Sequence, residues 1–227
     1  MNLEKYQQYS RIARGLEKAD LVLKDARIVN VFTEEIIRGD IAIQDGIIAG
    51  IGSFHGKEER DLAGRYVCPG FIDSHLHLES TLVTPAELVT VASRHGTTTF
   101  IVDPHESANV SGLAGIDYIL DQTEDVKANV YVMMPSCVPA TAIDDNGCTL
   151  TAEDMAPYLH NSRILGLGEV MDSISVVQGE KSMHDKLELF EGRIRDGHAP
   201  FLEEGDLQAY AMAGIATDHE CSFFDYA

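Results

Sequence analysis

The amino-acid sequence predicts an α/β fold, a partial β/α barrel preceded by a small β module. Three observations carry that prediction. From Tyr66 onward, short apolar runs alternate with helix-patterned stretches. The runs are apolar almost throughout, as strands buried on both faces are. Side chains able to bind a cation or a proton stand at the ends of most of them, where a β/α barrel assembles its site.

Taken in order, residues 1–19 place Tyr6, Tyr9, Ile12, Ala13 and Leu16 roughly on one helical face. Residues 19–33 are dense in β-branched positions. Residues 39–53 alternate on either side of Asp45-Gly46, a pair suited to a tight hairpin turn. This module is expected to fill residues 1–66 and the barrel part residues 67–227. The first barrel strand is VCPGFIDSHLHL (67–78). A helix follows over 84–96, with Thr84 as N-cap, Pro85 at N1, Glu87 at N3 and Gly96 as its stop. Further strands are expected at 97–104, 129–136, 163–171, 193–200 and 215–220. Helices are expected over 112–125, from 151 with Pro157 limiting its length, around 180–191 and over 202–214. That makes six strand–helix units where a closed barrel has eight. An open sheet, or the front portion of a longer polypeptide, is therefore predicted.

The chain has 227 residues, 44% hydrophobic and 24% charged, which excludes wholesale disorder. Its 17 Lys+Arg stand against 37 Asp+Glu, a formal charge of −20. Such a surface is unsuited to gripping a nucleic-acid backbone or an anionic membrane. No apolar run reaches membrane-spanning length and the first twenty residues are polar, so neither a span nor a signal peptide is predicted. The four cysteines, Cys68, Cys137, Cys148 and Cys221, are scattered without a CxxC pair. A disulfide framework is not expected, and a reducing cytoplasm is the expected compartment. Cys68 and Cys137 read as small buried apolar groups.

Candidate chemistry begins with Asp73, His75 and His77 in FIDSHLHLE. Side chains two apart on a strand share a face, so the two histidines can hold one ion together, with Asp73 orienting a ring or ligating. Glu169 sits in GLGEV between small residues that allow close backbone approach. One carboxylate there can bridge two cations. His198 and His219 end the fifth and sixth strands, each two or one residues behind an aspartate (Asp196, Asp218). Together His75, His77, Glu169, His198 and His219 make a mixed N/O set suited to zinc, manganese or iron. Asp103, His105 and Glu106 in VDPHES form a second cluster, readable as support for the ligands, a further ligand or a substrate contact. Glu220 is expected to face elsewhere. Such a set suits metal-assisted hydrolysis, with a nearby carboxylate carrying the proton. Spacing alone leaves an amide, a ring amidine and a phosphoester open.

PGFIDSHLHLES, TTFIVDPHE, GLGEVM, DGHAP and TDHE, in this order, resemble the bacterial adenine deaminases of the amidohydrolase superfamily, from about residue 20 to the last residue. The resemblance implies an amidohydrolase-type TIM barrel, represented by strands one to six, and part of a composite β-sandwich domain at 1–66. It implies hydrolysis of adenine to hypoxanthine and ammonia on a binuclear manganese or iron centre, with zinc as another candidate. The implied metal ligands are His75, His77, Glu169, His198 and His219, with Glu169 bridging. The implied catalytic residues are Glu169, His219, Asp103 and Glu106. Two departures stand out: DSISVV replaces a Pro-containing stretch after GLGEVM, and nothing matches the eighth-strand aspartate, for which Asp225 is no substitute. The implied partners are adenine and a second copy or other protein covering the open barrel edge. The alternatives are another cyclic amidohydrolase, or a truncated paralogue that binds metal or a partner without catalysis.

Overall fold

The computed structural model describes residues 1–219. The chain divides into two compact units, Met1–Pro69 and Gly70 onward.

In the first unit, helix α1 (Leu3–Ala13) is capped by the Asn2 side chain, which accepts from the Lys5 amide. It is shorter than its apolar pattern predicts. Arg14 closes it and Gly15 turns away at φ +71°, leaving Leu16 beyond the helix and exposed. Ile12 is fully buried against Ala19, Val22, Ala42 and Phe54. Strand β1 (Ala19–Asn30) pairs antiparallel with β2 (Glu35–Gln44), and β2 pairs antiparallel with β3 (Ile47–Gly52). The Asp45-Gly46 turn between them takes positive φ at both residues, +51° and +75°, the geometry that matches strand twist. Strands β4 (Gly56–Asp61) and β5 (Tyr66–Val67) each pair parallel with β1. Asp40 is buried in this sheet, and Lys24 together with the amides of Asp25 and Phe54 donates to it. Cys68 is exposed, contrary to the sequence expectation, because it lies in the chain that leaves β5 rather than in a strand that packs.

The second unit is an open, curled, parallel sheet. Its elements run β6 (Phe71–Leu76), α2 (Pro85–Ser93), β7 (Thr97–Val102), α3 (His105–Ser111), α4 (Leu113–Gln122), β8 (Asn129–Pro135), α5 (Ala152–Met155), β9 (Ile164–Val170), α6 (Ser173–Gln178), α7 (Lys181–Leu189), β10 (Ile194–Gly197), α8 (Glu204–Met212) and β11 (Thr217–Asp218). The strands lie side by side in chain order, β6 to β11. All six expected strands are present. Phe100, Val102, Val130, Val132, Met134, Ile164 and Leu167 pack with helix residues such as Val89, Ile116, Ile119, Met183 and Leu187 in one core.

Several local details follow from sequence. Thr84 stands at the N-cap of α2 with Pro85 at N1, but its hydroxyl makes no capping bond. Thr151 and Asp154 form a complete capping box on α5. The α-helix then yields to a 3-10 turn over Ala156–His160, because Pro157 cannot supply a backbone donor. Two short helices, α3 and α6, span only seven and six residues, too few for a helical period to stand out in the sequence. Among the described residues, no helix is long and apolar enough to cross a membrane.

Candidate metal centre

Because all six strands run parallel, their C-terminal ends lie along one rim, and the residues that follow each strand meet there. His75 is the penultimate residue of β6 and His77 follows the strand. Asp103 follows β7, and His105 and Glu106 open α3. Ser136 follows β8, Glu169 is the penultimate residue of β9, Asp196 lies in β10, His198 follows β10, and His219 follows β11.

Glu169 is the hub. It is 1% exposed, and its Oε1 lies 2.9 Å from His75 Nε2, 3.1 Å from His77 Nε2 and 3.2 Å from His219 Nε2. Its other oxygen, Oε2, lies 3.0 Å from His105 Nδ1. His75 Nε2 and His77 Nε2 are 3.0 Å apart, and His198 Nδ1 is 3.2 Å from His219 Nε2. The structure thus brings together all five residues that the sequence singled out as ligands. The far sides of the rings are also held. His77 Nδ1 faces the Asp103 carbonyl at 2.9 Å, and Asp196 Oδ2 lies 3.5 Å from Nδ1 of both His75 and His219. A carbonyl acceptor keeps the proton on His77 Nδ1 and leaves the Nε2 lone pair turned inward.

These side chains fit a divalent cation. Two ligands each about 2.1 Å from one ion, at right angles, stand about 3.0 Å apart, and the Nε2–Oε1 and Nε2–Nε2 separations fall at that value. Lone pairs from three imidazoles converge on one carboxylate oxygen, a repulsive arrangement unless protons or a cation lie between them. Ligand groupings within reach of one ion include His75, His77 and Glu169; Glu169, His198 and His219; His75, Asp196 and His219; and His77, His105 and Glu106. With protons as the only counter-charge, Asp196 and Glu169 push the His75 pKa up to about 10, and Glu169 likewise raises His77. Burial opposes ionisation of Glu169, but His105, His75 and His77 outweigh it and hold that carboxyl far below its usual range.

The second cluster is closer to the hub than the sequence indicates. Asp103 is 1% exposed, its pKa raised to about 6 by burial, with Oδ1 3.5 Å from His105 Nδ1. Glu106 is partly open to solvent, accepts from Ser80 Oγ at 3.2 Å, and lies 3.4 Å from His77 Nδ1. Gly168 is required by contact, since a Cβ there would stand 2.0 Å from Asp103 Oδ2. Asp73 joins no ligand grouping among the described residues. Glu220, Cys221 and Asp225 lie outside the described residues.

Two members of the site were noted in the sequence without a role in it. Asp196 was legible, standing two before His198 and so on the same strand face. Cys137 is buried as expected, but its thiol lies against His105 and groups with His105 and Glu169. Burial pushes that thiol up to about 11. A cavity of about 250 Å³ runs beside the cluster between His75, Ile101, Met133, Ile194, Asp196 and His219.

A parallel sheet whose strand ends gather an HxH pair, a buried carboxylate and two further histidines defines a scaffold able to hold a divalent cation. The amidohydrolase family model matches residues 66–227, and the chain belongs to that family. It is similar to the "Adenine deaminase" of Desulfitobacterium hafniense, 57% identical over all 227 residues, and to that of Clostridium acetobutylicum, 50% identical over 212 residues and 92% of this chain. "Adenine deaminase 2" of Carboxydothermus hydrogenoformans is 47% identical over 93% of this chain. The chain spans only 40%, 37% and 37% of the lengths of these curated relatives. In fold it is similar to a crystal structure of 5-methylcytosine deaminase from Klebsiella pneumoniae liganded with 5-fluorocytosine. The TM-score is 0.53 at 16% identity, over 85% of this chain and 55% of that one.

Proposed function

We propose that this chain carries most of the divalent-metal centre of an enzyme that hydrolyses adenine to hypoxanthine and ammonia. The observation that carries the reading is the convergence of His75, His77, His198 and His219 around Glu169. The relatives' names supply the substrate. The residues proposed to hold metal are His75, His77, Glu169, His198 and His219, as a binuclear manganese or iron centre with zinc as a further candidate. The chemistry a divalent cation supplies in such a set is Lewis acidity, which brings the pKa of a water down towards neutrality.

The chain's own residues do the remaining work. Hydrolysis forms a C–O bond at purine C6 and breaks the bond to the exocyclic nitrogen, so a proton must travel from water to the departing ammonia. Glu106 is proposed to carry it, because its carboxylate stands at the accessible side of the cluster beside His77. Asp103, sealed beneath Gly168, holds His105 instead, and His105 faces the second oxygen of Glu169. Asp196 fixes the rings of His75 and His219. A second copy or a further protein segment is proposed to cover the open sheet edge, where Phe71 and Ile72 of β6 are exposed. The scattered cysteines fit a cytoplasmic location.

The test is ammonia release from adenine by the manganese-loaded chain, run beside a panel of cyclic amides. Turnover of adenine supports the reading. Faster turnover of a cyclic amide would move the assignment to another amidohydrolase activity. Verified metal occupancy with no turnover of either would reduce this chain to a metal-binding scaffold.

A further inference from the structure

The residue at the hub is held in an unfavourable backbone conformation. Glu169 has φ +32°, in the left-handed region that a β-carbon disfavours. Such a residue persists where the surrounding structure over-determines it. Here three consecutive carbonyls are each tied down by a donor. The Ser136 amide donates to the Gly168 carbonyl at 3.1 Å, the Ser136 hydroxyl to the Glu169 carbonyl at 2.7 Å, and the Tyr210 hydroxyl to the Val170 carbonyl. Ser136 is fully buried and contributes two of the three. It is itself anchored: Lys186, on α7 and only 7% exposed, donates from Nζ to the Ser136 carbonyl at 2.7 Å. Tyr210 in turn accepts from the His198 amide at 3.2 Å, so the same strut reaches a second candidate ligand.

We propose that Ser136, braced by Lys186, is a positioning residue for the metal centre, holding the strained Glu169 turn so that its carboxylate faces the four histidines. The Ser136 hydroxyl bonds the Glu169 carbonyl and the Lys186 ammonium bonds the Ser136 carbonyl, so both act on the carboxylate through the backbone. Burying the Lys186 ammonium is costly, and its hydrogen bond to the Ser136 carbonyl offsets part of that cost. The strut has a reason to exist in this place. An unconstrained Glu169 would relax to negative φ and swing its carboxylate off the point where the Nε2 atoms meet. The inference rests on the proposed reading of the cluster as a metal centre.

The experiment compares the 227-residue chain with Ser136→Ala, Lys186→Met and Thr123→Val, using Mn2+ titration for affinity and Co2+ visible absorption for ligand geometry. Thr123→Val removes another buried hydroxyl, one that bonds the Ile119 carbonyl in α4 away from the cluster. That hydroxyl also accepts from Arg163 Nη1 at 2.8 Å, so its loss perturbs stability without touching the turn. Supports of this kind typically change metal affinity about 10–100-fold. Ser136→Ala is expected to weaken Mn2+ binding about tenfold or more and to alter the Co2+ spectrum. Lys186→Met should do so less, and Thr123→Val should leave both unchanged. Wild-type affinity and spectrum in Ser136→Ala, or equal losses in Thr123→Val, would overturn the inference while the metal-centre reading stood. Failure of the wild-type chain to bind Mn2+ would overturn both. Should Ser136→Ala not fold, Lys186→Met decides by the same readouts.

Discussion

Replacing Glu169 with glutamine keeps its size and removes one negative charge. The structure sets the consequence. One oxygen of this carboxylate faces three imidazole nitrogens at 2.9–3.2 Å and the other faces His105 at 3.0 Å. If the cluster binds a cation, Mn2+ at 100 times its dissociation constant stabilises the folded state by about 2.7 kcal/mol. For a unit of this size, each kcal/mol moves the unfolding midpoint by roughly 2–4 °C, so wild type should rise by about 5–10 °C. Outer supports of metal sites already change affinity by up to about 100-fold, and the hub carboxylate should cost at least that much. At the same Mn2+ concentration the variant would then sit near its own dissociation constant, gaining about 0.4 kcal/mol, or about 1 °C. Differential scanning fluorimetry with and without Mn2+, after chelator treatment, measures both shifts. A rise in Glu169→Gln within about 2 °C of the wild-type rise would refute the assignment of Glu169 as the hub ligand.

Other consequences follow from the same geometry. Gly168→Ala forces a Cβ to within 2.0 Å of the buried Asp103 carboxylate and should cost about 1–3 kcal/mol in chemical denaturation, together with Mn2+ affinity. Unchanged values would mean that the strand end yields freely. Ile12→Ala empties the centre of the small N-terminal cluster and should cost about 2–5 kcal/mol, read as an earlier urea transition of that unit, with Mn2+ binding unchanged. Asp40 is a pH probe. Burial works against its charge, but Lys24 and the Asp25 and Phe54 amides outweigh it, leaving its folded pKa below the unfolded value. Its stabilisation is therefore complete above the unfolded pKa and disappears as pH falls through the folded one. The stability gap between wild type and Asp40→Asn should shrink progressively below about pH 4, and a gap constant down to pH 2 would contradict this.

Much of this was legible in the chain because two simple periodicities act together. A period of two sets His75 with His77, and Asp196 with His198, on one strand face. Parallel strands then carry every such pair to the same rim, so residues from 75 to 219 meet without any local signal of contact. Glycine spacing around Glu169 correctly signalled close approach, now seen as Gly168 against Asp103 and Gly166 against the Ile194 carbonyl. What stayed hidden depends on distances across the fold. The Ser136–Lys186 strut joins residues fifty apart through one carbonyl, and no pattern in SCVPAT or KSMHDK announces it. Cys137 reads as packing because it is packing. Only the position of His105, set by the unforeseen short helix α3, turns its thiol into part of the cluster.

The places where the fold tolerates discomfort argue for the same site. Among the described residues, nine buried side-chain polar atoms make no hydrogen bond. Six of these belong to the cluster: both oxygens of Asp103, His105 Nδ1, Glu106 Oε2, Glu169 Oε2 and His219 Nδ1. Folding alone would select against such a concentration, since each unsatisfied buried group costs roughly 1–3 kcal/mol. The left-handed φ of Glu169 adds strain at the same residue. Acceptors and ring nitrogens left open in one small volume, around a backbone held out of its preferred basin, are what a cation would satisfy. Where these groups face one another, as His105 Nδ1 and Glu169 Oε2 do at 3.0 Å, the contact lacks hydrogen-bond geometry, and a cation between such groups would satisfy both.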